Sequence, residues 1–234
     1  MSPIKLVLLP GLDGTGVLFR PLLKALPPNI QPVVVAYPAD QELGYDDLLP
    51  IVLKALPQGA PFVLLGESFG GPLSLRVAAT RPAGLRALIL CATFVSCPQR
   101  WVPTWVALLM RPFLFRTIPQ VIQLKALLGG FANQYMFSLS REAMSLVSPE
   151  VFAHRVREVI KINVTAELAA CALPILYLQG KHDWVVPRAN FKRILRIQSA
   201  VQLVQISAPH MLLQARPEEA AQAIDNFITH NVVV

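Results

Sequence analysis

The chain has 234 residues, with 21 Lys and Arg against 14 Asp and Glu for a net charge of +7, and 54% apolar but only 15% charged residues. That much apolar side chain offsets the entropy of ordering, so intrinsic disorder is excluded. Three cysteines (Cys91, Cys97, Cys171) are odd in number and too sparse for a disulfide scaffold.

The first element, Ile4-Lys5-Leu6-Val7-Leu8-Leu9, is a nearly unbroken apolar run stopped by Pro10-Gly11, which predicts a strand covered on both faces. A Gly-rich loop follows, Gly11-Leu12-Asp13-Gly14-Thr15-Gly16, without the Lys of a P-loop or dinucleotide spacing. A second strand is predicted over Pro32–Tyr37. Leu48, Ile51, Val52, Ala55 and Leu56 then share one helical face, with Asp46 and Asp47 where the helix dipole favours acids. The third strand, Phe62–Leu65, ends at Gly66-Glu67-Ser68-Phe69-Gly70-Gly71 and leads into a helix from Pro72; the fourth is Leu85–Cys91.

Residues 97–172 hold no strand pattern, only helical patches, prolines and aromatics. A fifth strand is predicted at Pro174–Leu178, followed by Gln179-Gly180-Lys181-His182-Asp183 and a helix starting at Pro187. The sixth, Val201–Ile206, precedes Ser207-Ala208-Pro209-His210 and a helix from Pro217 to His230, with Pro and acids in its first turn. Strand–helix alternation of this kind predicts an α/β fold, a mostly parallel doubly wound sheet of about six strands. Residues 1–96 and 173–234 form its core, and 97–172 a helical lid insertion.

The chemistry concentrates on Ser68. A G-x-S-x-G sequence between a strand and a helix places the serine on a tight turn that projects its hydroxyl above the sheet. A hydroxyl is a poor nucleophile until a base takes its proton, and the base needs an acid to orient it. Asp183 and His210 follow on loops after the fifth and sixth strands, so all three candidates lie at carboxyl ends of strands, where ligands bind in open parallel sheets. Glu67 reads as a turn residue, and His154, His182 and His230 as structural or surface residues. The cysteines lack metal spacing, and no metal is expected.

These three motifs, in the order Ser, Asp, His, resemble the α/β-hydrolase superfamily over nearly the whole chain. Compact size, a single insertion and basic character are further similar to the small carboxylesterases that include pimeloyl-carrier-protein methyl ester esterases. The resemblance implies a serine esterase without cofactor, in which Ser68 attacks, His210 moves the proton and Asp183 orients it. The amide of Phe69 and one in the loop after the first strand, at Leu12 with Asp13 as the other candidate, would hold the oxyanion. A lipase, thioesterase or acyltransferase would use the same residues, and a hydrolase-fold binding protein is the reading from outside enzymes.

The insertion bears on substrate and partner. Trp101, Trp105, Leu108, Leu109, Phe113, Phe115, Met136 and Phe137 either wall an acyl pocket or pack the insertion down. It carries eight basic residues and four acids, and Arg155, Arg157 and Lys161 on one helix are the candidates for docking an acidic carrier protein, against a merely solvated face. An anionic membrane surface is the other expected contact. Nucleic acid is not expected, because the basic residues are scattered. No stretch reaches the ~20 apolar residues of a spanning helix, the first apolar run is too short for a signal-peptide core, and free thiols suit a reducing compartment. The expected location is cytoplasmic.

Overall fold

The computed structural model describes residues 3–99, 101–117 and 127–232. Its strands are β1 (Ile4–Leu9), β2 (Ile30–Val34), β3 (Phe62–Glu67), β4 (Leu85–Cys91), β5 (Ile175–Gly180) and β6 (Gln202–Ile206). They form one sheet in the order β2-β1-β3-β4-β5-β6, each neighbouring pair parallel. Helices α1 (Arg20–Ala25), α2 (Tyr45–Ala55) and α3 (Gly70–Ala79) join the first four strands. Between β4 and β5 lie α4 (Pro112–Thr117), α5 (Gln134–Ser145), α6 (Pro149–Lys161) and α7 (Thr165–Ala169). Then come α8 (Ala189–Ile197), α9 (Leu212–Ala215) and α10 (Pro217–Asn231).

Helices cover both faces, which is why the strands are apolar throughout rather than alternating. Val7 and Leu9 of β1 pack with Leu48 and Val52 of α2 and Leu73 of α3. Leu6 and Leu8 face the other way, onto Leu22 of α1 and Ile224 and Phe227 of α10. The chain reverses its direction of travel across the sheet between β1 and β3. The carboxyl ends of those two strands therefore flank the crevice that such a sheet offers to ligands.

The second strand departs from its expected span. The ladder runs Ile30–Val34, with Pro32 opposite Leu6. Pro32 donates nothing to a ladder, but β2 is an edge strand, where a missing donor is tolerated. Val35 still donates to Leu8 O, and Tyr37 N–H reaches Gly14 O at 2.7 Å, so the chain leaves the sheet by folding over the loop after β1. The helix expected from Pro187 begins two residues later, at Ala189. Among the described residues, no helix is long and apolar enough to cross a membrane.

Candidate active site

Ser68 joins β3 to α3 with a φ of 50°, a left-handed conformation that is strained for a residue with a Cβ. Its surroundings hold it there. Its N–H donates to Cys91 O at 2.9 Å, and its carbonyl accepts from Gly71 N–H at 3.0 Å and from the Thr93 hydroxyl at 2.5 Å. The turn is also sterically tight. A Cβ on Gly66 would overlap the Gly70 carbonyl, and one on Gly70 would overlap the carbonyl of Leu9.

His210 lies on the loop between β6 and α9. Its Nε2 is 3.1 Å from Ser68 Oγ, and its Nδ1 is 2.9 Å from Asp183 Oδ2. A carboxylate only accepts, so Nδ1–H donates to Asp183 and the lone pair of Nε2 faces the Ser68 hydroxyl. The other Asp183 oxygen accepts from the amides of Val185 at 2.9 Å and Val186 at 2.8 Å, which fixes the carboxylate in its loop. The side chains of His210 and Asp183 are only 9% and 2% exposed. Burial alone would lower the His210 pKa, but the charge and hydrogen bond of Asp183 outweigh it and raise the pKa above its ordinary value. Three residues far apart in sequence thus meet at one rim of the sheet.

A cavity of about 120 Å³ opens beside Ser68 and His210, bordered by Leu12. Its walls are mainly apolar, including Leu18, Leu127, Met144, Phe152 and Met211. The ring of Phe69 is wholly buried and stacks on Tyr45 at 4.4 Å, anchoring the residue whose amide follows the serine. Among the described residues, no group of three or more His, Cys, Asp or Glu is placed to hold a metal ion.

Glu67 is more than a turn residue. It ends β3, is buried in the cavity wall, and accepts from Gln214 Nε2 at 3.0 Å. Burial pushes its pKa up to about 7. The available signal in the sequence was a lone acid closing an otherwise apolar strand.

Arg155 is misplaced by the docking expectation. It is wholly buried, its Nη1 donating to the carbonyls of Leu12 (2.9 Å) and Asp13 (2.8 Å) and its Nη2 to that of Pro38 (2.8 Å). It stands one turn from Val151 on the inward stripe of α6, so it is out of reach of any partner. Arg157 is occupied within the chain, by Met110 O at 3.0 Å and Glu42 at 2.8 Å, and Lys161 is exposed at the helix end. The three do not form one basic face.

The pocket aromatics also divide. Trp101, Trp105, Leu108, Leu109 and Phe113 are exposed and do not border the cavity. Met136 and Phe137 pack instead with Leu128 and Met211. Arg100, Lys125 and the side chains of Phe115 and Arg116 lie outside the described residues. His154 sits beside Glu42 and Arg157, His182 beside Phe131, and His230 against Asn226 O, and none of the three borders the cavity beside Ser68.

A family model described as serine aminopeptidase, S33, matches residues 42–213. Among curated relatives, the pimeloyl-[acyl-carrier protein] methyl ester esterase of Xanthomonas axonopodis pv. citri is 25% identical, with 95% of this chain and 94% of that protein covered. The pyrrolizixenacetamide deacetylase of Xenorhabdus hominickii is 24% identical over 72% of this chain, which spans 65% of that relative's length. Of solved structures, an esterase from Exiguobacterium antarcticum superposes with a TM-score of 0.84 at 15% identity, covering 97% of this chain and 92% of that one. A thermophilic esterase from Thermogutta terrifontis gives 0.82 at 20% identity, covering 99% and 92%. At such identities the structural likeness speaks for the fold.

Proposed function

This chain belongs to the serine aminopeptidase S33 family of α/β-hydrolases, and from that premise we propose that it is a serine carboxylesterase acting on an ester with an apolar acyl group. The observation that carries the reading is the run of contacts from Asp183 through His210 to Ser68, at 2.9 and 3.1 Å. Ser68 Oγ attacks the ester carbonyl as His210 Nε2 takes its proton. Asp183 keeps the imidazole in the required tautomer and stabilises the imidazolium. The amides of Leu12 and Phe69 receive the oxyanion. Collapse expels the alcohol with the proton from His210, and water then releases the acid from the acyl-enzyme by the same steps in reverse. The acyl group occupies the apolar cavity walled by Leu18, Met144 and Phe152.

The full-length likeness to pimeloyl-[acyl-carrier protein] methyl ester esterases favours a carrier-linked acyl methyl ester as the substrate. Lys161 is the exposed basic residue of α6 for meeting an acidic carrier, in the cytoplasm, and Arg157 would have to leave Glu42 to join it. A fluorophosphonate probe tests the reaction class. The reading expects one adduct, mapped to Ser68, and loss of both adduct and aryl-ester hydrolysis in Ser68→Ala. An adduct elsewhere, or a fully active Ser68→Ala, overturns it.

A further inference from the structure

Arg155 reaches from α6 into the core and ends among backbone carbonyls rather than carboxylates. Nη1 serves Leu12 O and Asp13 O, Nη2 serves Pro38 O, and Nε is buried with no partner among the described residues. The guanidinium also lies 5.6 Å over the Tyr37 ring. Burying such a cation is costly, and burial pulls its pKa down. The loop is shaped around it. Gly14 has a φ of 70°, and a Cβ there would overlap Nη1 and come 2.9 Å from Tyr37 Cδ2.

A peptide unit is planar, so holding its carbonyl also aims its N–H. The Asp13 carbonyl held by Arg155 shares a unit with Gly14 N–H, which donates to Gly11 O at 3.1 Å. That Gly11 carbonyl in turn shares a unit with the N–H of Leu12. The Leu12 carbonyl, held at 2.9 Å, shares its unit with the N–H of Asp13. One guanidinium therefore governs three successive peptide planes, which carry both candidate oxyanion donors of this loop. The cation also polarises the two units whose carbonyls it holds, those of Leu12 and Asp13, and it reaches the Gly11–Leu12 unit through the strengthened Gly14 N–H that donates to Gly11 O.

We infer that Arg155 is a positioning residue for the reaction: from the inserted helix it sets the peptide planes that aim the Leu12 amide at the oxyanion over Ser68. This rests on the esterase reading above. It also makes the insertion part of the catalytic apparatus, because α6 supplies what orients a loop leaving β1.

The test is Arg155→Met and Arg155→Lys, compared with the unaltered protein for aryl-ester kinetics and for the rate of fluorophosphonate labelling at Ser68. A misaimed oxyanion donor lowers kcat by about 10²-fold while KM stays within about threefold, and labelling slows with kcat. Millimolar guanidinium restores part of the rate to Arg155→Met and none to Ser68→Ala. A folded Arg155→Met with unaltered kcat and labelling rate, or one changed only in KM or melting temperature, overturns the inference. Should Arg155→Met fail to fold, Arg155→Lys decides. It keeps the charge but replaces a planar fork that serves opposite sides by a single ammonium, so an unaltered kcat there overturns the inference equally. An active Ser68→Ala would instead overturn the esterase reading, and the labelling rate distinguishes the two failures because it needs no ester substrate.

Discussion

The Thr93 hydroxyl donates to the carbonyl of Ser68 at 2.5 Å, so the chain leaving β4 holds the strained turn at the end of β3. Thr93 is itself held from β5, where the Tyr177 hydroxyl donates to Thr93 O at 2.6 Å. A row of three neighbouring strands thus supports one serine. Thr93→Val keeps the shape and removes the donor. It is expected to lower stability by about 1–2 kcal/mol and to lower kcat, whereas Thr93→Ser retains both. Denaturant melts and initial rates on the two variants check this. Equal behaviour of valine and serine would show that the turn does not depend on the hydroxyl.

Asp183 carries the second prediction. The ordinary pKa of histidine is 6.5, and in the fold that of His210 is raised. Only the neutral imidazole accepts the serine proton, so kcat/KM should climb as pH rises through a value above 6.5. Asp183→Asn removes what raises that pKa and disfavours the required tautomer. Its expected signature is a kcat lower by roughly 10³–10⁴-fold with the acidic limb moved to lower pH. A full pH profile of both proteins reads it, and an unmoved limb would contradict the assignment.

Glu67 should make stability pH-dependent in the opposite sense from a carboxylate whose pKa is lowered on folding. Its pKa is about 7 in the fold, against an ordinary 4.5. The native state keeps a proton that the unfolded chain has released. The contribution is complete below the ordinary value and is lost as pH rises through about 7. Glu67→Gln, neutral at every pH and still able to accept from Gln214, should gain on the unaltered protein between pH 5 and 8 by up to the order of 3 kcal/mol. Thermal unfolding across that range measures the difference. A difference that stays flat with pH would contradict it.

Gly70→Ala drives a methyl group into the carbonyls of Leu9 and Pro10, so β1 and α3 must part beside the serine. A loss of about 1–3 kcal/mol together with reduced kcat is expected. Gly130→Ala, where a Cβ meets nothing within 4 Å, should alter neither. Melting temperature and rate for the pair are the measurement.

Much of this protein is legible along the chain because its signals are short-range. Apolar runs that end at Pro10 and at Gly66 mark β1 and β3, and one that starts after Gly84 marks β4, without reference to anything distant. The glycines around Ser68 answer to sterics within a few residues, and the loops holding Asp183 and His210 each follow a strand directly. The edge strand β2 slipped because Val35 and Tyr37 are as apolar as a strand requires, while their bonds go to Leu8 and to the loop at Gly14. The exposed Trp101 and Trp105 and the buried Met136 share one composition, and only packing separates them.

The sequence by itself determined the succession of the six strands, the turn carrying Ser68, and the succession Ser68, Asp183, His210, since each is written in periodicity or in residues a few positions apart. The tertiary structure alone decided that Arg155 points inward and that Glu67 is enclosed. Helical spacing says which residues share a face and not what lies across from it. The carbonyls of Leu12, Asp13 and Pro38 that accept from Arg155 come from the far end of the chain, and a buried charge is tolerable only once such distant partners have been folded around it.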